Sequence, residues 1–90
     1  HYRGINELEK GGSADAYDLA QKIGHAIRNC RIEQKITQEK LALLCNIDRS
    51  YMGRIERGEV NVTLEKIYEL SVALEVPVND LLPKINEKNK

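Results

Sequence analysis

Residues 37–56 read TQEKLALLCNIDRSYMGRIE, and this stretch predicts two helices of about eight to ten residues joined by a turn of about three or four. Thr37 can cap the first helix and Asp48 the second, since a side-chain oxygen at this position accepts a bond from an N–H of the first helical turn. Ala42 is small where the two helices would cross closely, and Asn46 tolerates the left-handed backbone that the turn requires. The stretch therefore predicts a helix pair packed around a tight turn.

The second helix of this pair has an apolar face and a polar face. Ile47, Met52 and Ile55 would anchor it on a core. The residues left facing outward are Arg49, Ser50, Gly53, Arg54 and Arg57. The forked guanidinium group of arginine matches guanine O6 and N7 or a phosphate, and a helix fits the major groove of DNA. These residue types favour the interpretation that this face of the helix binds DNA. The residue composition of the face alone fits a solvated, salt-bridged helix surface equally well.

The rest of the chain shows helical periodicity as well, with no alternating pattern typical of strands. Gly58 can end the third helix and Thr63 can cap a fourth, while Pro77 breaks the fourth and can open a final turn. The spacing places Ala16, Leu19, Ala20, Ile23, Ile27 and Cys30 on one face of the first helix, and Leu41, Ala42, Leu44 and Cys45 on the apolar side of the second. The predicted buried stripe of the fourth helix is Leu64, Ile67, Leu70, Ser71 and Leu74. We therefore expect an all-α fold of five helices.

The charge balance of the chain bounds its possible partners. Its 90 residues include 14 basic and 14 acidic side chains, so the formal net charge is zero. This balance excludes a polybasic tail protein and lacks the overall basic character of many nucleic-acid-binding domains. Residues 23–63 nevertheless hold seven basic and five acidic side chains. A DNA-binding role therefore has to depend on local charge, and we expect modest non-specific affinity with a shallow salt dependence.

The sequence suggests one domain with a tail at each end. The predicted divisions are a flexible N-terminal tail at 1–14, a single domain at 15–83 and a polar C-terminal tail at 84–90. Gly11, Gly12 and Ser13 mark the first boundary. We find neither an apolar run of the ~18 residues that a membrane helix needs nor a basic start followed by an apolar stretch. We therefore expect a cytoplasmic protein with no membrane partner.

Side chains that could support catalysis or bind a metal are few. Cys30 and Cys45 are too far apart for a CxxC clamp and are expected to be reduced thiols that pack in the core. His1 and His25 cannot be combined with other residues into a metal site or a catalytic triad, and no Gly-rich phosphate loop is present. The expected protein is not an enzyme and has no metal, cofactor or small-molecule ligand.

Residues 23–82 resemble the Cro/repressor-type helix-turn-helix proteins, known as the XRE family. The matching positions are Ile23-Gly24, Ile27-Arg28, Arg31, Thr37-Gln38-Glu39, Leu41-Ala42, Ile47, Ile55-Glu56-Arg57-Gly58, Leu64, Leu74, Val76 and Leu81-Leu82. Asn46 stands where the family often has glycine. The resemblance implies a five-helix, lambda-repressor-like domain in which helices two and three form the helix-turn-helix, and a transcriptional regulator that binds operator DNA as a dimer.

The resemblance also implies roles for individual residues. Those that would read bases are Arg49, Ser50 and Arg54, and those that would contact the DNA backbone are Gln38, Tyr51, Arg57 and Asn61. For Tyr51, partial packing in the core is the alternative. Arg31 and Glu56 match a pair that forms a buried salt bridge in relatives and clamps the first helix to the third.

A second copy of the chain is the expected protein partner. One recognition helix reads only about four or five base pairs, and a two-fold dimer doubles that reading. The candidate interface residues are Tyr68, Val72, Val76, Val78 and Leu82, with Ile85 as a further candidate. The stripe of the fourth helix does not need all of these apolar residues, although they could instead complete the small core.

Within the family, residues 48–58 followed by 61–64 are similar to the controller proteins of restriction–modification systems. Two alternatives are open. An antitoxin that represses its own operon uses the same domain, and a helical protein-interaction module would have lost DNA binding. The arginines of the second helix of the pair disfavour the interaction module.

Overall fold

The computed structural model describes the backbone of residues 5–83 and the side chains of residues 18–83. Its elements are α1 (Ile5–Glu33), α2 (Gln38–Leu44), α3 (Arg49–Glu56), α4 (Leu64–Leu74) and a 3₁₀ turn (Val78–Leu81). No strand occurs in these described residues, and the prediction of an all-helical fold is confirmed. None of the helices described is both long enough and apolar enough to cross a membrane.

The fifth predicted helix is a 3₁₀ turn of four residues, Val78–Leu81. To continue as an α-helix, the chain would need a bond from the N–H of residue 83 to the carbonyl of Asn79. Residue 83 is a proline and has no N–H, so the Asn79 carbonyl accepts from Leu82 at 3.3 Å instead. The proline therefore limits the last element to a single tight turn.

The start of α1 differs from the sequence prediction. The helix begins at Ile5, within the segment 1–14 that we predicted to be a flexible tail. Residues 1–4, the side chains of residues 5–17 and the predicted tail 84–90 lie outside the described residues. The division into two tails and a domain stays a prediction.

Two of the three predicted helix caps form. The Thr37 hydroxyl accepts from the backbone N–H of Lys40 at 2.9 Å, and the Thr63 hydroxyl accepts from that of Lys66 at 3.1 Å. Asp48 occupies the cap position of α3, but its side chain makes no capping hydrogen bond. At the start of α3, the Asp48 backbone carbonyl rather than its side chain makes the hydrogen bond, accepting from the N–H of Met52 at 3.0 Å.

The turn between α2 and α3 depends on Asn46, which has φ +57° as predicted. Its backbone N–H donates to the carbonyl of Leu43 at 3.1 Å, and that of Ile47 donates to Ala42 at 3.0 Å. This pair of bonds satisfies the last carbonyls of α2 and reverses the chain. The short turn brings α3 directly against α2.

The core lies between α1, α2, α3 and α4. Its buried cluster consists of Ile23, Ile27, Leu41, Ala42, Cys45, Met52, Ile55, Ile67, Leu70, Leu74 and Leu81, and most of the predicted stripes are confirmed. The predicted burial of Leu64 is wrong, since this side chain is 68% exposed in the first turn of α4. Leu19 and Leu44, on the predicted apolar faces, are 47% and 52% exposed, and the side chain of Ala16 lies outside the described residues. Leu19 lies one position before the buried Ala20, at the edge of the α1 stripe.

Both cysteines pack as small apolar residues. Cys45 is buried in the core cluster and Cys30 lies half-buried against it, and neither is in a disulfide. Burial is the main cause that raises the pKa of both thiols above the ordinary value. The thiols therefore stay protonated near neutral pH.

Gly24 sets the distance between α1 and the end of α3. A Cβ atom at this position would lie 2.3 Å from the carbonyl oxygen of Ile55 and 2.7 Å from that of Glu56. Both oxygens belong to the backbone of a packed helix and cannot move aside. The close approach of the two helices therefore requires glycine.

Replacing Gly24 with alanine should lower the free energy of unfolding by about 1–3 kcal/mol, the range for overpacked cores. The matched control is Gly53→Ala, where the Cβ would meet only side-chain ends, Arg57 Nη1 at 3.1 Å and Gln38 Oε1 at 3.6 Å. The control should be neutral or gain up to about 1 kcal/mol from helix propensity. Urea unfolding of both variants checks this. Equal effects at the two positions would contradict the close approach.

Candidate nucleic-acid interface

The outer face of α3 carries the residues that we predicted to read bases. Met52, Gly53, Ile55 and Glu56 are the buried residues of this helix. Arg49, Ser50 and Arg54 are exposed. Packing of the apolar side on the core therefore leaves two guanidinium groups and a hydroxyl on one side of a rigid helix.

Gly53 lies differently from the prediction. We predict from the sequence that it faces outward, but it is buried. The side chains of Arg57 and Gln38 cover it, with Arg57 Nη1 at 3.1 Å and Gln38 Oε1 at 3.6 Å from the position of a Cβ. Because glycine has no side chain, these two polar groups can lie across α3.

The four residues assigned to the DNA backbone border this face. Arg57 and Asn61 are exposed beyond the end of α3. Gln38 is the first residue of α2 and is half-buried, and its amide donates to Glu56 Oε1 at 3.0 Å. Tyr51 is half-buried and packs against the core cluster, so the alternative of partial packing in the core describes its position.

A buried ion pair supports the face from beneath. Arg31 Nε donates to Glu56 Oε2 at 2.7 Å, and Arg31 Nη2 donates to Oε1 at 3.1 Å. Arg31 Nη1 also donates to the carbonyl of Ile36 at 3.0 Å. The side chains of Arg31 and Glu56 are 12% and 2% exposed. The pair joins α1 to the end of α3, and through Gln38 it also holds the start of α2.

The chain turns back at the end of α3 and adds an acidic residue to the basic face. Gly58 has φ +74°, and its N–H donates to the carbonyl of Ile55 at 3.0 Å. The next N–H, that of Glu59, donates to the carbonyl of Arg54 at 2.9 Å. Glycine is favoured at this left-handed position, which was predicted to end the helix. The reversal places the side chain of Glu59 beside two arginines.

Glu59 forms ion pairs that sequence reasoning missed. Arg57 donates to its carboxylate through Nε at 2.8 Å and Nη2 at 3.3 Å, and Arg54 Nε lies 3.9 Å away. The hydrogen bonds between Arg57 and Glu59 lower the pKa of the carboxyl and raise the pKa of the guanidinium. The spacing of a glutamate two residues after arginine, across a helix-ending glycine, is the signal that could have found this pair.

Comparison with known proteins decides the family. The HTH_3 helix-turn-helix family model matches residues 27–81. The chain belongs to this family of DNA-binding transcriptional regulators. The resemblance to Cro/repressor-type (XRE) proteins is thereby confirmed.

Several relatives of this helix-turn-helix protein are controllers by name. It is 43% identical over 60 residues to control protein C.BamHI of Bacillus amyloliquefaciens. This match covers 66% of this chain and 74% of C.BamHI. It is 34% identical over 73 residues to control protein C.SmaI of Serratia marcescens, with 81% and 87% covered. The crystal structure of the restriction-modification controller protein C.AhdI from Aeromonas hydrophila superposes with a TM-score of 0.72 at 40% identity, covering 76% of this chain and 99% of that one.

The candidate dimer residues of this helix-turn-helix protein divide into two groups. Val76, Val78 and Leu82 are half-buried and pack against the core cluster, and Ile85 lies outside the described residues. Tyr68 and Val72 are 61% and 74% exposed. Leu64, also exposed, precedes them at the same four-residue spacing, which aligns the three along one side of α4. We call Leu64, Tyr68 and Val72 the α4 stripe.

Proposed function

We propose that this chain is a sequence-specific transcriptional regulator in which α2 and α3 form the helix-turn-helix and α3 enters the major groove. The observation that carries the proposal is the outer face of α3, where Arg49, Ser50 and Arg54 are exposed while Met52 and Ile55 are buried. Arginine can bond guanine O6 and N7 with two donors, and serine can bond several base edges. In this proposal these three side chains read the operator.

The edge of the face supports contacts to the DNA backbone. Gln38 begins α2, and one donor of its side-chain amide bonds Glu56 at 3.0 Å. An amide nitrogen has two N–H donors, so the second is left for a phosphate oxygen. In this role Gln38, with Tyr51, Arg57 and Asn61, fixes the register of α3 and carries no sequence information.

Binding as a homodimer is supported by the α4 stripe. An exposed row of large apolar side chains on a small domain is typical of a protein interface. Two copies joined by such a row would present two α3 helices to successive major grooves, about 34 Å apart. A self-complementary contact of this kind matches a pseudo-palindromic operator.

Replacing Val72 with aspartate should raise the dimer dissociation constant at least about tenfold, because a charge would be desolvated in the contact. The fold should be little affected, since Val72 is 74% exposed. Leu43→Asp is the matched control, because Leu43 is 72% exposed on α2 and lies off the α4 stripe. Sedimentation equilibrium measures the dimer dissociation constant of both variants. A V72D protein that dimerises as tightly as the wild type would exclude this interface.

The names of the relatives favour one biological setting. C.BamHI and C.SmaI are control proteins, and C.AhdI is a restriction-modification controller protein. We propose the same role here, in which the dimer occupies an operator and sets transcription of a restriction–modification operon. The chemistry on α3 requires no catalysis, only occupancy of DNA that blocks or recruits polymerase.

Selection from a library of randomised duplexes tests the proposed function. We expect enrichment of one sequence with two half-sites related by two-fold symmetry, their centres about 10 base pairs apart. DNase footprinting on the enriched duplex should protect both half-sites. Enrichment of no sequence, or of a single unrepeated half-site, would overturn the proposal.

A further inference from the structure

The basic surface of α3 contains an internal acidic partner. The carboxylate of Glu59 lies 2.8 Å from Arg57 Nε and 3.9 Å from Arg54 Nε. A carboxylate with two oxygens accepts the arginine fork in the same way as a phosphate does. The arrangement around Arg57 therefore has the geometry of a phosphate contact, with Glu59 in the place of the phosphate.

We propose that Glu59 competes with DNA phosphate for Arg57 and so lowers the affinity of the protein for DNA of any sequence. This inference rests on the proposed function. DNA has to displace the carboxylate before the Arg57 guanidinium group can bond a phosphate, and the displaced carboxylate then repels the phosphates. Glu59 thus weakens the non-specific component of binding, which depends mostly on phosphate contacts.

The backbone holds the competitor in place. The N–H of Glu59 donates to the carbonyl of Arg54 at 2.9 Å, which ties the carboxylate-bearing residue to the last turn of α3. Arg57 reaches across Gly53, beside Gln38, where a Cβ would lie only 3.1 Å from its Nη1. The Arg57 side chain therefore extends back along α3 towards Gly53, on the helix that is proposed to face DNA.

The strength of the pair fits a competitor that DNA can displace. The side chains of Arg57 and Glu59 are 60% and 49% exposed, and ion pairs in such positions are weak. Arg57 lowers the pKa of the Glu59 carboxyl, so the group stays ionised throughout the physiological pH range. The competition is therefore constant rather than switched by pH.

Fluorescence anisotropy with a labelled random-sequence duplex tests the proposal on the full chain. Glu59→Gln should tighten binding about two- to fivefold, the range that loss of a competing exposed ion pair allows. The slope of log affinity against log salt should become steeper by about 0.9, the value for one arginine released to a phosphate. In an Arg57→Gln background most of this gain should vanish, because the released group is absent.

Glu69→Gln is the matched control. Glu69 is 49% exposed like Glu59, and it pairs with Lys66 at 2.7 Å on α4. The control makes the same charge change and should leave affinity and salt slope nearly unchanged. Sedimentation at the assay concentration verifies that both variants keep the oligomeric state of the wild type.

The outcomes separate the two proposals. Three outcomes would overturn the proposed competition but leave the proposed DNA binding intact. They are equal gains in affinity from Glu59→Gln and Glu69→Gln, no gain from Glu59→Gln, and a gain from Glu59→Gln that persists in the Arg57→Gln background. Failure of the wild type and every variant to bind any duplex would overturn the proposed function and this inference together. A carboxyl titration by NMR adds a readout without DNA: a Glu59 pKa at its ordinary value in the wild type would exclude the ion pair in solution.

Discussion

Replacing Glu56 with alanine should lower the free energy of unfolding by about 3–5 kcal/mol, which is the cost of leaving a buried charge without its partner. The Arg31 guanidinium is 12% exposed and donates twice to this carboxylate, at 2.7 and 3.1 Å. After the substitution its remaining bond is to the carbonyl of Ile36. Gln38 would also lose its bond of 3.0 Å to Glu56. Urea unfolding followed by circular dichroism measures the loss.

The exposed pair of Lys66 and Glu69 provides the matched control. Its charged atoms lie 2.7 Å apart, as close as those of the buried pair, but both side chains are more exposed. Glu69→Ala should cost less than about 1 kcal/mol, since solvent screens surface ion pairs. Similar losses for Glu56→Ala and Glu69→Ala would contradict the buried-charge argument.

A double substitution separates the burial of charge from the loss of packing. Arg31→Met combined with Glu56→Leu removes both charges and keeps most of the apolar volume. Buried ion pairs replaced in this way often lose little stability. We expect the double variant to be more stable than either single variant, and a double variant with additive losses would show that the pair has no such coupling.

The local features of this fold could be predicted because nearby residues determine them. Thr37 and Thr63 can act as caps with bonds that span three residues, and Asn46 adopts its left-handed conformation within a two-bond turn. The exposure of Ser50 and Arg54 follows from the helical period once Met52 and Ile55 are buried. Patterns of period 3.6 therefore contain most of the information needed for this helical domain.

Features that depend on distant parts of the chain escaped prediction. Gly53 has an outward position on a helical wheel, but the side chain of Gln38 from α2 and that of Arg57 cover it. Periodicity does not show how much of an apolar face a neighbouring helix covers, and Leu64 is exposed although its spacing predicts burial. The pairing of Glu59 with two arginines depends on the reversal at Gly58, which a charge count cannot represent.

The buried ion pair is linked to the proposed DNA-backbone contact of Gln38 through one residue. Glu56 accepts from Arg31 on its buried side and from Gln38 at the start of α2. A substitution that displaces this carboxylate should therefore also release the Gln38 amide from its position. Stability and DNA affinity should fall together for variants of Glu56, whereas variants of exposed residues on α3 should change affinity alone.

Replacing Arg49 with alanine should weaken operator binding by about 1–3 kcal/mol in each half-site, the range for loss of a bidentate base contact. The variant should discriminate less at one base pair per half-site, because a single reading group is lost. Stability should be unchanged, since the side chain is exposed at the first turn of α3. Anisotropy titrations against the selected operator and against all single-base changes in one half-site measure both effects.

Gln38→Ala is the comparison that gives the Arg49 result its meaning. A phosphate contact carries no sequence information, so this variant should weaken binding to the operator and to random duplexes by the same factor. Gln38→Ala also removes the bond to Glu56, and urea unfolding measures the resulting change in stability separately. The DNA affinities of Arg49→Ala and Gln38→Ala are therefore compared under conditions in which both variants are fully folded. Arg49→Ala should instead lower operator affinity more than random-duplex affinity, because only the operator presents the base that it reads. Equal losses on the two kinds of DNA for Arg49→Ala would place its guanidinium group on the backbone, and the reading role would then fall to Ser50 and Arg54.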